Sequence, residues 1–116
     1  MHNFKEFQVW QRSRKLVKEI YQLTKSLPDE EKFGMISQIR RCAVSIPSNV
    51  AEGAGRKTNK DFSNFLSIAL GSQFELETQL ILSSEIGFLE NESLSKITNE
   101  LNEIQKMTRV LIDKFP

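Results

Sequence analysis

The stretch CAVSIPSNVAEGAGRK, from Cys42 to Lys57, decides the fold. Its apolar residues Ala43, Ile46 and Val50 recur at spacings of three and four, the rhythm of a helix face turned towards a core. Pro47 interrupts this rhythm, and polar side chains border it. We interpret the stretch as the end of a core helix that lies at a buried junction of a helical bundle.

Outward from this stretch, four segments show helical periodicity, and none alternates with the period of two that is typical of a strand. Prolines and glycines fall mostly between the segments. Because the connections are only a few residues long, each helix must run antiparallel to the one before it. The sequence predicts one all-α domain over residues 1–116, an up-down-up-down antiparallel four-helix bundle with helices at about residues 4–26, 31–54, 59–88 and 92–115.

Particular residues are expected to delimit these helices. Gly53 and Gly55 can adopt the left-handed backbone conformation that ends many helices, and we expect it after the second segment. Thr58 or Asn59 is expected to cap the third helix and Asn91 the fourth, because their side-chain oxygens can accept hydrogen bonds from free N–H groups.

The composition is that of a soluble globular protein, with 27% charged and 39% hydrophobic residues. No apolar run approaches the roughly 18–20 residues that span a membrane, and the N-terminal residues lack a secretory signal pattern. A single cysteine, Cys42, cannot form an internal disulfide, so we expect a cytoplasmic protein. The net charge of +1 conceals a basic half and an acidic half: residues 1–60 contain 12 Lys and Arg against 6 Asp and Glu, and residues 61–116 contain 4 against 9.

The sequence contains no recognisable catalytic arrangement. The only histidine, His2, lies where fraying is expected, so neither a Ser-His-Asp nor a Cys-His arrangement can be assembled. Arg41 could lower the pKa of its neighbour Cys42, yet a cysteine in a periodic helix is more often a small buried apolar residue. The Glu-x-x-His pairs of metal-binding bundles do not occur. We expect no catalytic residue, metal, cofactor or small-molecule substrate.

A polar strip runs along the second segment. Four of its residues are spaced four, four and three apart, so a helix presents them on one side: Arg41, Ser45, Asn49 and Glu52. The antiparallel register places Arg41 within reach of Glu75. It also places Asn49 or Glu52 near the indole N–H of Trp10, which needs an acceptor when buried. The predicted structural polar motif comprises Trp10, Arg41, Ser45, Pro47, Asn49, Glu52, Gly53, Ser72 and Glu75.

Pro47 has its own expected effect. It removes a backbone donor and pushes against the carbonyl of Ala43, so we expect the helix to kink there. Ser45 or Ser48 is expected to satisfy the freed carbonyl. The alternative is that Pro47 merely bends the helix around its neighbours.

The third segment has more apolar surface than one bundle requires. Besides its core seam, it carries a second seam with apolar ends and a polar centre: Phe65, Ile68, Ser72, Glu75, Gln79, Leu82, Ile86 and Leu89. A helix that is apolar on most sides should be buried on most sides. We therefore expect a homo-oligomer, with a tightly wrapped monomer as the alternative.

Basic residues suggest a second kind of partner. The candidate nucleic-acid-binding residues lie on the first helix and at the turn after the second: Arg12, Arg14, Lys15, Lys18, Arg56, Lys57 and Lys60. Most charges of this kind are simply solvated. Two hypotheses remain, an oligomeric scaffold or interaction module and an RNA- or DNA-binding accessory factor.

The runs QIRRCAVSIPSNVAEGAGR and DFSNFLSIALGSQFELETQL resemble the four-helix-bundle proteins encoded within intervening sequences of bacterial 23S ribosomal RNA genes. The most specific elements are S-I-x-x-N-V-A-E-G at residues 45–53, the following Gly55 and Arg56, and A-L-G-S-x-x-E-L at residues 69–76. That family is similar in turn to the accessory variability proteins of diversity-generating retroelements. Those proteins form pentameric barrels, bind nucleic acid and associate with a reverse transcriptase.

The resemblance implies a four-helix protomer that forms a homopentamer and has no established activity. The retroelement proteins are strongly basic, whereas this chain is nearly neutral. Any nucleic-acid binding is therefore left to a local basic patch.

Overall fold

A computed structural model describes residues 1–116, and it contains four helices and no strand. The helices are α1 (Gln8–Thr24), α2 (Met35–Ala54), α3 (Asn59–Glu85) and α4 (Asn91–Lys114). Each helix packs against its neighbours in the chain, and α4 closes the bundle against α1. The predicted all-α four-helix bundle is confirmed. None of the helices combines the length and the apolar character that crossing a membrane demands.

The core is built from one apolar stripe of each helix. Leu16 of α1, Ile46 of α2, Leu76 of α3 and Leu101 of α4 are all buried within one continuous cluster. Burying a Leu or Ile side chain contributes about 1.5–3 kcal/mol. This repeated burial, which follows from the spacing of three and four, holds the four helices together.

Two helices begin later than the periodicity suggests. Asn3 caps a separate 3-10 turn at Phe4–Glu6, and Phe7 is extended, so α1 starts only at Gln8. A second 3-10 turn, Asp29–Glu31, precedes α2 and delays its start to Met35. The apolar rhythm does not distinguish such a turn from the first turn of a helix.

The expectation that Gly53 or Gly55 adopts the left-handed conformation at the end of α2 is wrong. Gly55 has a φ of −81°, and the one glycine with positive φ is Gly87, at 88°, just after α3. Gly53 serves a different purpose. A Cβ built on it would lie 2.5 Å from the Cβ of Phe65 and 3.0 Å from Cδ1 of Phe62. Glycine is therefore required here because α2 and α3 approach too closely for any side chain.

The expected caps have mixed outcomes. The Thr58 hydroxyl accepts a hydrogen bond of 3.1 Å from the Asp61 N–H, which confirms Thr58 as the cap of α3. Asn91 is the first residue of α4 rather than its cap, a position taken by Glu90. The side-chain oxygen of Asn91 instead accepts a hydrogen bond of 3.0 Å from the Ser84 hydroxyl.

The N-terminal residues are tied to the bundle, contrary to the fraying expected of His2. The backbone N–H of His2 donates to the carbonyl of Ala54 at 2.7 Å, and its Nε2 lies 3.0 Å from Oδ1 of Asn59. The imidazole packs among three phenylalanine rings, Phe7, Phe62 and Phe115. The aromatic rings thus give the N terminus a binding site at the end of the bundle.

Candidate interaction surfaces

A groove between α2 and α3 brings together five residues of the predicted polar motif: Arg41, Ser45, Asn49, Ser72 and Glu75. Its volume is about 560 Å³, and Gln38, Cys42, Ile68 and Gln79 complete its lining. The Sγ of Cys42 lies 3.0 Å from the Ser72 carbonyl, to which it donates. This contact sets Arg41 level with the middle of α3, as the register predicted.

The predicted bond between Arg41 and Glu75 does not form within the chain. Neither residue takes part in the three ion pairs of the chain, and Arg41 makes no side-chain hydrogen bond. Glu75 accepts only a long bond of 3.5 Å from Nε2 of Gln79. Both residues are exposed, and a solvated ion pair gains too little to hold two long side chains together.

The predicted contact of Trp10 with Asn49 or Glu52 is also wrong. Trp10 packs edge-on against the ring of Phe4 at 5.0 Å, and the guanidinium of Arg14 lies 5.1 Å from its ring centroid. Because Trp10 is only half-buried, its N–H does not need a partner from α2.

The strip residues of α2 are satisfied locally instead. Asn49 donates to the Ser45 carbonyl at 2.8 Å. Glu52 pairs with Arg56 one turn later, at 3.2 Å. These bonds stay within one helix and its end, so Asn49 and Glu52 do not join α2 to α1.

Pro47 lies inside α2 without ending it. The Ser45 hydroxyl donates to the carbonyl of Cys42 at 2.6 Å, not to that of Ala43, and Ser48 makes no side-chain hydrogen bond. The expectation that one of these serines satisfies the carbonyl freed by Pro47 is therefore wrong.

The environment of Cys42 suppresses its reactivity. Burial raises the pKa of the Cys42 thiol to about 12, with a smaller contribution from the negative charge of Glu75. Lowering of this pKa by Arg41 does not occur. The thiol behaves as a small buried group that donates to a carbonyl.

The second seam of α3 is largely uncovered in the single chain. Ile68, Leu82 and Ile86 are 52%, 45% and 55% exposed, whereas ordinary core residues of α3 are fully buried. At the polar centre of the seam, Oε1 of Gln79 is buried without a hydrogen-bond partner. At the ends of the seam, Phe65 is half-buried and Leu89 is buried by the chain itself.

Sequence reasoning missed a polar layer inside the core. Nε2 of the fully buried Gln73 donates to the Thr108 hydroxyl at 2.9 Å, and Oε1 of Gln73 has no partner. Thr108 is the polar residue that interrupts the apolar repeat of α4, and this interruption is the signal that could have revealed the pair. Polar pairs of this kind favour one helix register over others.

The structure divides the predicted basic patch. Arg12 forms a two-pronged ion pair with Glu100 at 2.8 and 2.9 Å, and this bond raises the pKa of Arg12. Arg56 is paired with Glu52 and lies 4.8 Å from the ring centroid of Phe65. Five cations of the patch are exposed and outside any ion pair. Three lie on α1, and two lie at the turn before α3 and at its start: Arg14, Lys15, Lys18, Lys57 and Lys60.

No group of three or more His, Cys, Asp or Glu side chains is placed to hold a metal ion.

Comparison with known proteins places this geometry in a family. Residues 5–110 match the family described as 23S rRNA-intervening sequence protein. The chain belongs to this family. The fold is also similar to the crystal structure of a protein of unknown function from the S23 ribosomal protein family of Bacteroides thetaiotaomicron, with a TM-score of 0.84 and 33% identity over 90% of this chain and 95% of that chain. No curated protein matches the sequence.

Proposed function

We propose that this chain is a non-enzymatic, self-associating four-helix module that acts as a scaffold in the cytoplasm. The observation that carries the proposal is the uncovered apolar seam of α3, formed by Ile68, Leu82 and Ile86. Exposed apolar patches of this kind mark surfaces that another protein covers. The buried free thiol of Cys42 suits a reducing compartment.

The energetics of the seam indicate how large the interface must be. Complete burial of a Leu or Ile contributes about 1.5–3 kcal/mol, so covering the exposed halves of three such residues contributes on the order of 3 kcal/mol. Association costs about 4 kcal/mol or more in lost freedom of motion. The seam therefore needs further contacts from the groove beside it.

Light scattering on the purified chain tests the proposal directly. A pentamer, the assembly that the resemblance to the accessory variability proteins implies, would have a mass five times the 13.4 kDa of one chain. A ring with an odd number of copies joins two different surfaces of neighbouring subunits. A mass of one chain at micromolar concentration would refute self-association.

Single substitutions then locate the interface. Leu82→Asp places a charge in the seam and should shift the population to smaller species, because burying an unpaired carboxylate is costly. Val110→Asp is the matched control, since Val110 is 66% exposed but lies on α4. Dissociation by Val110→Asp with an intact Leu82→Asp oligomer would place the interface elsewhere.

A second candidate function is the binding of RNA or DNA through α1. It is supported by three exposed cations, Arg14, Lys15 and Lys18, and by the position of the Arg14 guanidinium over the Trp10 ring. Cations beside an aromatic ring are typical of surfaces that bind single strands.

Gel retardation of labelled structured RNA at several salt concentrations tests this candidate. Binding should weaken linearly on a logarithmic salt scale, with a slope of about −0.7 to −0.9 for each phosphate contacted. Replacing Lys15 and Lys18 by Gln should remove about two phosphate contacts and so make the slope less steep by about 1.4–1.8. Absence of retardation at low salt would rule the candidate out.

A further inference from the structure

We infer that Arg41 of one subunit pairs with Glu75 of a neighbouring subunit, so that a second copy of the chain completes the groove between α2 and α3. This inference rests on the proposed self-association and names the contact that gives it specificity. Arg41 and Glu75 are the only charged residues among those that line the groove.

The groove contains matching unsatisfied groups. The Arg41 guanidinium has no hydrogen bond or ion pair, and the Glu75 carboxylate accepts only the long bond from Gln79. Beside them, Oε1 of Gln79 is already buried and lacks a donor. The surface thus offers the free guanidinium of Arg41 as donor on α2, and on α3 it offers two acceptors, the weakly bonded Glu75 carboxylate and the unpartnered Oε1 of Gln79.

Covering the apolar seam makes the pairing of Glu75 necessary. Ile68 and Leu82 lie seven residues before and after Glu75 on α3, and both are about half exposed. A partner that covers both must also remove water from the carboxylate between them. An unpaired charge buried in this way is strongly destabilising, whereas one that meets a guanidinium is compensated.

The charge balance of the groove selects the partner. Nucleic acid requires an excess of positive charge, but this groove carries one cation and one anion. In a ring, the acid on α3 of one copy can meet the base on α2 of the next copy. A second copy of this chain is therefore the occupant that matches the groove in both charge and apolar character.

Two single charge reversals and their mixture test the inference. Arg41→Glu leaves two acids in the groove, and Glu75→Arg leaves two bases. Each variant alone should lose most of the assembled mass in light scattering. Mixed in equal amounts, the two should form larger species than either variant alone, because Glu at position 41 of one chain then faces Arg at position 75 of the next. A ring of five would still contain one contact between like variants. Circular dichroism checks that each variant folds, and Lys15→Glu, an exposed reversal on α1, should leave the mass unchanged.

The outcomes separate this inference from the proposed function. If a chain that carries both reversals recovers the full mass while the mixture forms no species larger than the separate variants, the pair forms within one chain and the inference is overturned. Unchanged mass in both single variants would also overturn it while leaving self-association in place. If the reversals unfold the chain, the milder Arg41→Gln and Glu75→Gln should each weaken assembly at least tenfold; unchanged assembly would again overturn it. A monomeric wild-type protein would refute the proposed function itself.

Discussion

Substitution of Gly53 by alanine tests the close approach of α2 and α3 most sharply. The new Cβ would lie 2.5 Å from the Cβ of Phe65, about 1 Å inside ordinary carbon–carbon contact. The Cβ of Phe65 is fixed to its backbone and cannot rotate away. Phe62, whose Cδ1 lies 3.0 Å from the new atom, is fully buried. The two helices must therefore move apart.

The expected cost follows from two opposing effects. Overpacking costs about 1–3 kcal/mol, and the rigid contact at Gly53 argues for the upper end. In the opposite direction, replacing a helical glycine by alanine stabilises the folded state by about 0.5–1 kcal/mol. The net loss of about 2 kcal/mol should lower the Tm by roughly 8 °C in a chain of this size.

Thermal unfolding followed by circular dichroism at one fixed protein concentration measures this loss. Gly71→Ala is the matched control, since a Cβ at Gly71 has no atom within 4 Å. Gly71 also lies in a helix, so its substitution should raise the Tm by a few degrees at about 0.5–1 kcal/mol. The reasoning fails if Gly53→Ala melts at or above the wild-type temperature.

Three further predictions concern single side chains. Cys42 should resist thiol reagents at pH 8 until urea unfolds the chain. Folding raises the pKa of this thiol from 9.0 to about 12, so the unfolded chain loses the proton at a lower pH than the folded chain. The free energy of unfolding should therefore fall as the pH rises through that interval. Rapid labelling of the native protein would contradict this. Thr108→Val should lower the free energy of unfolding in urea by about 1–3 kcal/mol, because it leaves Nε2 of Gln73 buried without an acceptor. Adding Gln73→Leu should recover most of this loss. Unchanged stability of Thr108→Val would show that the bond is unimportant. His2→Ala should cost about 0.5–1.5 kcal/mol by removing a ring from the aromatic cluster, whereas an unchanged Tm would indicate a frayed N terminus.

The sequence was informative where a signal is local. The apolar spacing along each segment predicted four helices, because a helix brings residues three and four apart onto one face. Thr58 was recognisable as a cap because its acceptor meets an N–H only three residues later. The polar groove was partly foreseen for the same reason, since the register across a short turn places Arg41 and Glu75 along one surface.

Errors arose where geometry across helices decides the outcome. Gly53 looked like a helix terminator, but its backbone is constrained by the distance to Phe65 on another helix. Trp10 was assigned a partner on α2, yet the fold gives it Phe4 and Arg14. Such choices depend on how deeply a side chain is buried, which spacing along one segment does not report.

The amino-acid sequence by itself determined the number of helices, their antiparallel order and the presence of excess apolar surface on the third. Those properties follow from periodicity and short connections, both of which act over a few residues. Only the tertiary structure decided which polar groups find partners. It engages Arg12 with Glu100, docks His2 among aromatic rings and leaves Arg41 unpaired beside Glu75. The physical reason is that a hydrogen bond or ion pair depends on distances of a few ångströms between segments far apart in the chain.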